Sequence, residues 1–170
     1  MDFKEYLIKR NKSGKEKLYT LLVYFAAAVL AVFAFVILMP LGGINVLLPA
    51  AIFYFAYKIC ARFKKEYEYI ITDDILDIDV VFNASARKRL ISFSLKQDTQ
   101  ILAAITNTDK NAVLNERFDE VIDATTNTKD AKVYFAVVEQ DKRKLVKFEP
   151  PYAALEIFKK YAPFKVFISE

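Results

Sequence analysis

Two spacings of apolar residues divide the chain. From Leu18 to Tyr57, 40 residues pass without a charged side chain, whereas from Glu66 onward apolar and polar residues alternate. The uncharged stretch opens with Leu18 to Met39, 22 residues. At about 1.5 Å per residue these reach roughly 33 Å, enough to cross a hydrocarbon core of ~30 Å. Pro40, Leu41, Gly42 and Gly43 then supply turn chemistry. Ile44 to Cys60 follows, 17 residues with one charge, Lys58, near the far end where a lysine can snorkel to the headgroups. Pro49 inside this second segment predicts a kink. Residues 18–61 therefore read as a transmembrane helical hairpin. A cleaved signal peptide does not fit as well, because the first run is too long and no small-x-small site with polar sequence after it precedes the second run.

From Glu66 the period is two, the mark of half-buried strands. Tyr67, Tyr69 and Ile71, then Leu76, Ile78, Val80 and Phe82, alternate with more polar neighbours, and Thr72, Asp73 and Asp74 turn the chain between them. Lys88–Leu95, Gln100–Ile105, Glu120–Ala124, Lys132–Glu139 and Lys144–Phe148 are further short runs rich in β-branched or aromatic residues, separated by polar clusters. Pro150 and Pro151 open a helix, in which Ala154, Ile157, Phe158 and Tyr161 fall on one face, and Pro163 stops it. The expectation for residues 66–170 is seven antiparallel strands, as a small barrel or bent sandwich, capped by a C-terminal helix. The whole chain is then of the α+β class.

Residues 1–17 form a basic juxtamembrane segment. Phe3, Tyr6 and Leu7 have helical spacing with Lys4, Lys9 and Arg10 around them, the pattern of a short helix lying on headgroups; a solvated tail is the other reading, with a break over Asn11 to Gly14.

Charge sets the orientation. Residues 1–65 hold 10 Lys/Arg against 3 Asp/Glu, and residues 66–170 hold 15 against 18. Lys4, Lys9, Arg10, Lys12, Lys15 and Lys17 precede the first span, Lys58, Arg62, Lys64 and Lys65 end or follow the second, and the connecting loop has no cation. By the positive-inside rule, both ends and the C-terminal domain face the cytoplasm from the inner membrane. These ten cations are the expected membrane-interface residues, with anionic headgroups as their partner. The pI of about 9 thus points to membrane phosphate rather than nucleic acid. Tyr19, Tyr24 and Phe25, with Phe53, Tyr54, Phe55 and Tyr57, would gather at the same interface as an aromatic belt.

Composition removes several chemistries. There is no His, a single Cys, Cys60, and only Gly14, Gly42 and Gly43. Imidazole acid-base catalysis, His-ligated metals, internal disulfides, P-loops and dinucleotide fingerprints all lose their residues. No catalytic residue, cofactor or metal is expected, and the chain reads as a non-enzyme. Cys60 ends an apolar run, where a thiol is inert.

The order of elements carries a resemblance. Seven strands and a closing helix match the pleckstrin-homology (PH) arrangement, and Tyr69, Thr72, Asp74, Leu76 and Ile78, followed by Arg87, Lys88, Arg89, Phe93 and Leu95, resemble the opening of bacterial PH-like domains found beside membrane spans. With its basic start, its two-span hairpin, Glu66-Tyr67-Glu68-Tyr69, Leu76-Asp77-Ile78-Asp79 and Lys160-Tyr161-Ala162-Pro163, the chain is similar to a family of small bacterial two-span membrane proteins of unknown function with a PH-like cytosolic domain. The resemblance implies fold and location and no activity. Of the phosphoinositide element of eukaryotic PH domains only Arg87-x-Arg89 is matched, and Asp77 and Asp79 stand upstream where lysines would be.

Arg87, Lys88 and Arg89 are the sharpest charge cluster of the domain, a candidate contact for an anion or an acidic partner. A three-residue connection between strands would instead set Asp79 opposite Arg87 or Arg89 as a cross-strand ion pair. Asp73, Asp74, Asp77 and Asp79 read as turn-capping and surface carboxylates rather than a cation site. Asp109, Asn111 and Asn115 lie in a long loop open to a partner. Two functions follow. One is a membrane-anchored binding or scaffolding module that holds a protein partner, a second copy of the chain or lipid headgroups. The other is an accessory subunit of a larger membrane complex that acts through its hairpin.

Overall fold

The computed structural model describes residues 2–107, 110–128 and 131–168. The chain forms two compact units: a helical unit, Lys12–Lys65, and a β unit made of the residues up to Asn11 together with those from Glu66 on.

The helical unit starts with α1, Gly14–Ile37. Its first turn is fixed by a capping box, in which Ser13 Oγ accepts from Glu16 N (3.3 Å) and Glu16 Oε2 accepts from Ser13 N (2.8 Å). By length and composition α1 is apolar enough to cross a membrane. A 3-10 segment, Met39–Val46, follows and is interrupted at Gly42, whose φ of 66° and ψ of −136° suit a residue without Cβ. The second helix, α2, covers Leu47–Ala61. It is shorter than the expected Ile44–Cys60 because the chain is still in the 3-10 segment up to Val46. Pro49 lies in its first turn rather than its interior, where a missing N–H disrupts no helical bond, so the expected mid-helix kink has no cause. Tyr19 at the start of α1 meets Phe63 just past α2 edge-to-face, with centroids 5.5 Å apart. Buried positions are small, Ala27, Ala31, Ala56, Cys60 and Ala61, while Leu21, Phe25, Phe33, Ile37 and Phe55 are exposed.

The β unit contains nine strands among the described residues: β1 (Phe3–Lys9), β2 (Lys65–Thr72), β3 (Ile75–Phe82), β4 (Ala86–Ser94), β5 (Thr99–Ala104), β6 (Glu120–Ala124), β7 (Tyr134–Glu139), β8 (Arg143–Phe148) and β9 (Val166–Phe167). They form a sheet of order β1-β2-β3-β4 and a second of order β6-β8-β7-β5-β9. The helix α3, Tyr152–Tyr161, follows Pro151 and buries Ala154, Leu155 and Phe158.

Two departures from the sequence reading stand out. The basic start is neither surface helix nor tail: Phe3–Lys9 is an edge strand, antiparallel to β2, with Phe3 opposite Thr72 and Lys9 opposite Glu66. Tyr6 and Ile8, two residues apart, pack against the core, so period two overrides the apparent helical spacing. The sheets are also not purely antiparallel, since β6 runs parallel to β8, and β9 runs parallel to β5.

The main core joins both sheets and α3 through Tyr69, Ile71, Leu76, Ile78, Phe93, Leu102, Tyr134, Phe148 and Phe158. Tyr69 ties the sheets together: its hydroxyl donates to Ala124 O (2.6 Å) and accepts from Glu149 N (3.1 Å), and its ring meets Phe148 edge-on at 5.8 Å. Burial pushes the phenol's pKa up. The central strand β7 is covered on both faces. Tyr134, Ala136 and Val138 enter the main core, while Phe135 and Val137 join Ala103 and Leu145 in a second cluster under Val113, Leu114 and Phe118. That accounts for its unbroken apolar run.

Candidate functional site

The charged face of the first sheet is built by register. The β3–β4 connection is Asn83, Ala84 and Ser85, with positive φ at Asn83 and Ala84. Asp79 thereby stands directly opposite Arg89, after a bulge between Ile78 and Asp79. Arg89 reaches Asp79 Oδ1 through Nε at 2.9 Å and Asp77 Oδ2 through Nη2 at 3.0 Å. The Asp79 hydrogen bond, helped by the charges of Asp77 and Asp79 and opposed by partial burial, holds the guanidinium pKa above its usual value. Arg87 lies opposite Val81 and reaches past β3 to β2, where its Nη2 lies 2.8 Å from Glu68 Oε1 and 2.7 Å from Oε2. Lys88 lies opposite Val80 and is exposed. Both arginines of the candidate anion cluster are therefore engaged by carboxylates of their own sheet.

Glu68 is the residue the sequence reading missed. Its side chain is only 2% exposed although it faces away from Tyr67 and Tyr69. Burial is the largest influence on its pKa, a hydrogen bond with Glu5 on β1 adds to it, and the Arg87 charge opposes both; the carboxyl is pushed up to about 7. The only local sign was a glutamate between two tyrosines; its partner, Arg87, is two strands away.

The remaining carboxylates close the fold. Asp73, with φ of 53°, accepts from Asp2 N at 2.8 Å and, like Asp2, from Tyr161 OH at 3.1 Å. Lys160 Nζ lies 2.6 Å from Asp2 Oδ2. Hydrogen bonds from Lys160 and Tyr161 lower the Asp2 pKa; those from Asp2 N and Tyr161 lower that of Asp73. Asp74 accepts from Ser94 Oγ at 2.6 Å. Of the loop candidates, Asp109 lies outside the described residues, and Asn111–Asn115 is a 3-10 turn.

The ten expected interface cations fall into two sets. Lys4 and Lys9 lie on β1 and Arg10 just beyond it, in the β unit. Lys12, Lys15, Lys17, Lys58, Arg62, Lys64 and Lys65 belong to the helical unit. There Lys58 sits over the Tyr54 ring at 5.6 Å, and Cys60 is a buried free thiol.

A family model for a bacterial PH-like domain (DUF6106) matches residues 2–168. The chain belongs to this family. The match begins before β1 and ends after β9, so the helical unit lies inside the span of the PH-like pattern rather than ahead of it. No curated protein and no solved structure matched the chain. PH-like domains are generally non-catalytic, and membership is consistent with a binding or scaffolding role. The single long apolar helix among the described residues, α1, suggests membrane association.

Proposed function

We propose that this PH-like protein is a non-catalytic binding or scaffolding module, anchored by a two-span hairpin and presenting its β unit at the inner face of the membrane. The observation that carries the reading is the register of β1 on β2. Lys9 and Glu66 are paired neighbours, and the helical unit is inserted between them. A segment that leaves and returns to one point of a folded sheet crosses a bilayer an even number of times. If α1 spans, the 3-10 segment and α2 form the return. At about 1.5 Å per residue α2 alone covers roughly 22 Å, and Met39–Val46 supplies the remainder. The outward apolar side chains of both helices and the cations at their outer ends support the same arrangement.

Topology and binding are tested together. In a Cys60→Ser background, Asn115→Cys should resist a membrane-impermeant thiol reagent in intact cells and react after permeabilisation; labelling of intact cells would overturn the inner-face assignment. Crosslinking in native membranes from Asn115 should then trap a defined partner or a second copy. A crosslink found only from the helices would favour the accessory-subunit reading, in which the hairpin makes the contact.

A further inference from the structure

Within the helical unit, a cavity of about 540 Å³ is lined by Lys15, Glu16, Tyr19, Ile59, Arg62 and Phe63. That volume is within the range of small-ligand sites. Its walls are of two kinds. Tyr19, Phe63 and Ile59 make an apolar surface, with Tyr19 and Phe63 locked edge-to-face, and Lys15 and Arg62 place two exposed cations beside it. The one carboxylate, Glu16, accepts the Ser13 backbone N–H in the capping box, so the walls carry a net positive charge. The cavity also lies near both ends of the charge-free stretch, which begins at Leu18, three residues past Lys15, and ends at Tyr57, five residues before Arg62.

We infer that this cavity is a binding site for one anionic phospholipid, its phosphate held by Lys15 and Arg62 and the start of its acyl chains lying on Tyr19, Ile59 and Phe63. Charge complementarity selects a phosphodiester with no balancing cation, and the apolar wall selects a lipid over a free anion. The inference rests on the membrane reading of the helical unit and adds to it a stoichiometric, selective ligand. A diffuse attraction of headgroups to basic flanks would need no such cavity.

The test is native mass spectrometry of the full chain released from micelles containing equal amounts of phosphatidylglycerol and phosphatidylcholine. Wild type should retain one phosphatidylglycerol in preference to phosphatidylcholine, and excess inorganic phosphate should not displace it. Lys15→Gln with Arg62→Gln should lower the affinity read from the retained fraction by roughly thirtyfold, whereas Lys17→Gln with Lys64→Gln, which removes the same charge outside the cavity, should leave it unchanged. Equal loss in both double variants, or loss in neither, would overturn the site. Alkaline carbonate extraction of the same proteins separates the two levels of the argument: release of wild type would reject the membrane reading itself, and retention without lipid selectivity would reject only the cavity.

Discussion

The helical unit and the β unit use apolar side chains in opposite senses. In the β unit the large residues Tyr69, Phe93, Phe135, Phe148 and Phe158 are buried and the charges lie outside or in pairs. Among the described residues of the helical unit the buried ones are alanines and a cysteine, while Leu21, Leu22, Phe25, Leu30, Phe33 and Phe55 are exposed. Burying the large residues yields the hydrophobic free energy that stabilises a fold in water, whereas contacts between small residues bring helices close where the surroundings are already apolar. On the proposed membrane reading, the contrast is that of one chain suited to two solvents, with the change at Asn11–Lys12 and again at Lys65–Glu66.

The comparison is tested most severely by cutting the same side chain in each unit. Phe158 is fully buried, and Phe158→Ala should cost about 3–5 kcal/mol in urea unfolding of the β unit. Phe33 is 64% exposed, and Phe33→Ala should leave that transition unmoved. Equal costs would mean that α1 is part of an aqueous core.

The boundary itself can be sharpened by asking which unit owns β1. Residues 2–11 joined through a short Gly-Asn-Gly turn to Glu66–Ile168 should give a soluble protein that unfolds cooperatively. The same protein lacking residues 2–11 should lose on the order of 3 kcal/mol, from the packing of Tyr6 and Ile8, by the midpoint of urea denaturation. A fragment beginning at Glu66, which the sequence alone suggests as the complete domain, is one edge strand short.

A third contrast concerns buried charge. Glu68 moves from an ordinary value of 4.5 to about 7 in the fold. Between those values the folded chain keeps a proton that the unfolded chain has released, so stability falls as pH rises through this window and levels off above it. Asp2 and Asp73 act at the other end: their lowered values contribute stability that is lost as pH falls below the normal carboxylate range. Glu68→Gln should abolish the decline between pH 5 and 8 and make the β unit more stable at pH 8 by on the order of 2 kcal/mol. Parallel pH profiles for variant and wild type, compared by urea midpoints, would show that Arg87 already neutralises the site.

The smallest effect is expected at the surface. Lys160→Ala removes an exposed ion pair with Asp2 and should shift the urea midpoint by less than about 1 kcal/mol. A larger loss would make the junction of β1, the β2–β3 turn and α3 a cooperative lock.

Much of this fold was legible where the signal was local. The alternation of Tyr67, Tyr69 and Ile71, the unbroken run of β7 and the prolines around α3 each act within a few residues. The short Asn83–Ser85 connection likewise brought Asp79 and Arg89 into one frame. The failures were non-local. Phe3, Tyr6 and Leu7 satisfy helical spacing, and only the presence of β2, more than fifty residues away, makes Tyr6 and Ile8 a strand pair. Two residues, Val166 and Phe167, give no periodicity at all, and β9 exists because β5 offers a parallel edge. Glu68 was missed for the same reason: burial and the reach of Arg87 past β3 depend on sheet order, which no short stretch of sequence encodes.

The insertion also sets an order of events during synthesis. The 56 residues between Lys9 and Glu66 take roughly 3 to 11 s to translate at about 5–20 residues per second. Through that interval β1 has left the ribosome with no strand to join. Closing so long a connection costs about 3.5 kcal/mol in chain entropy, unless the intervening segment has first been threaded into lipid and its ends brought together. The first strand made therefore waits for β2, the next strand of the chain, before it can pair.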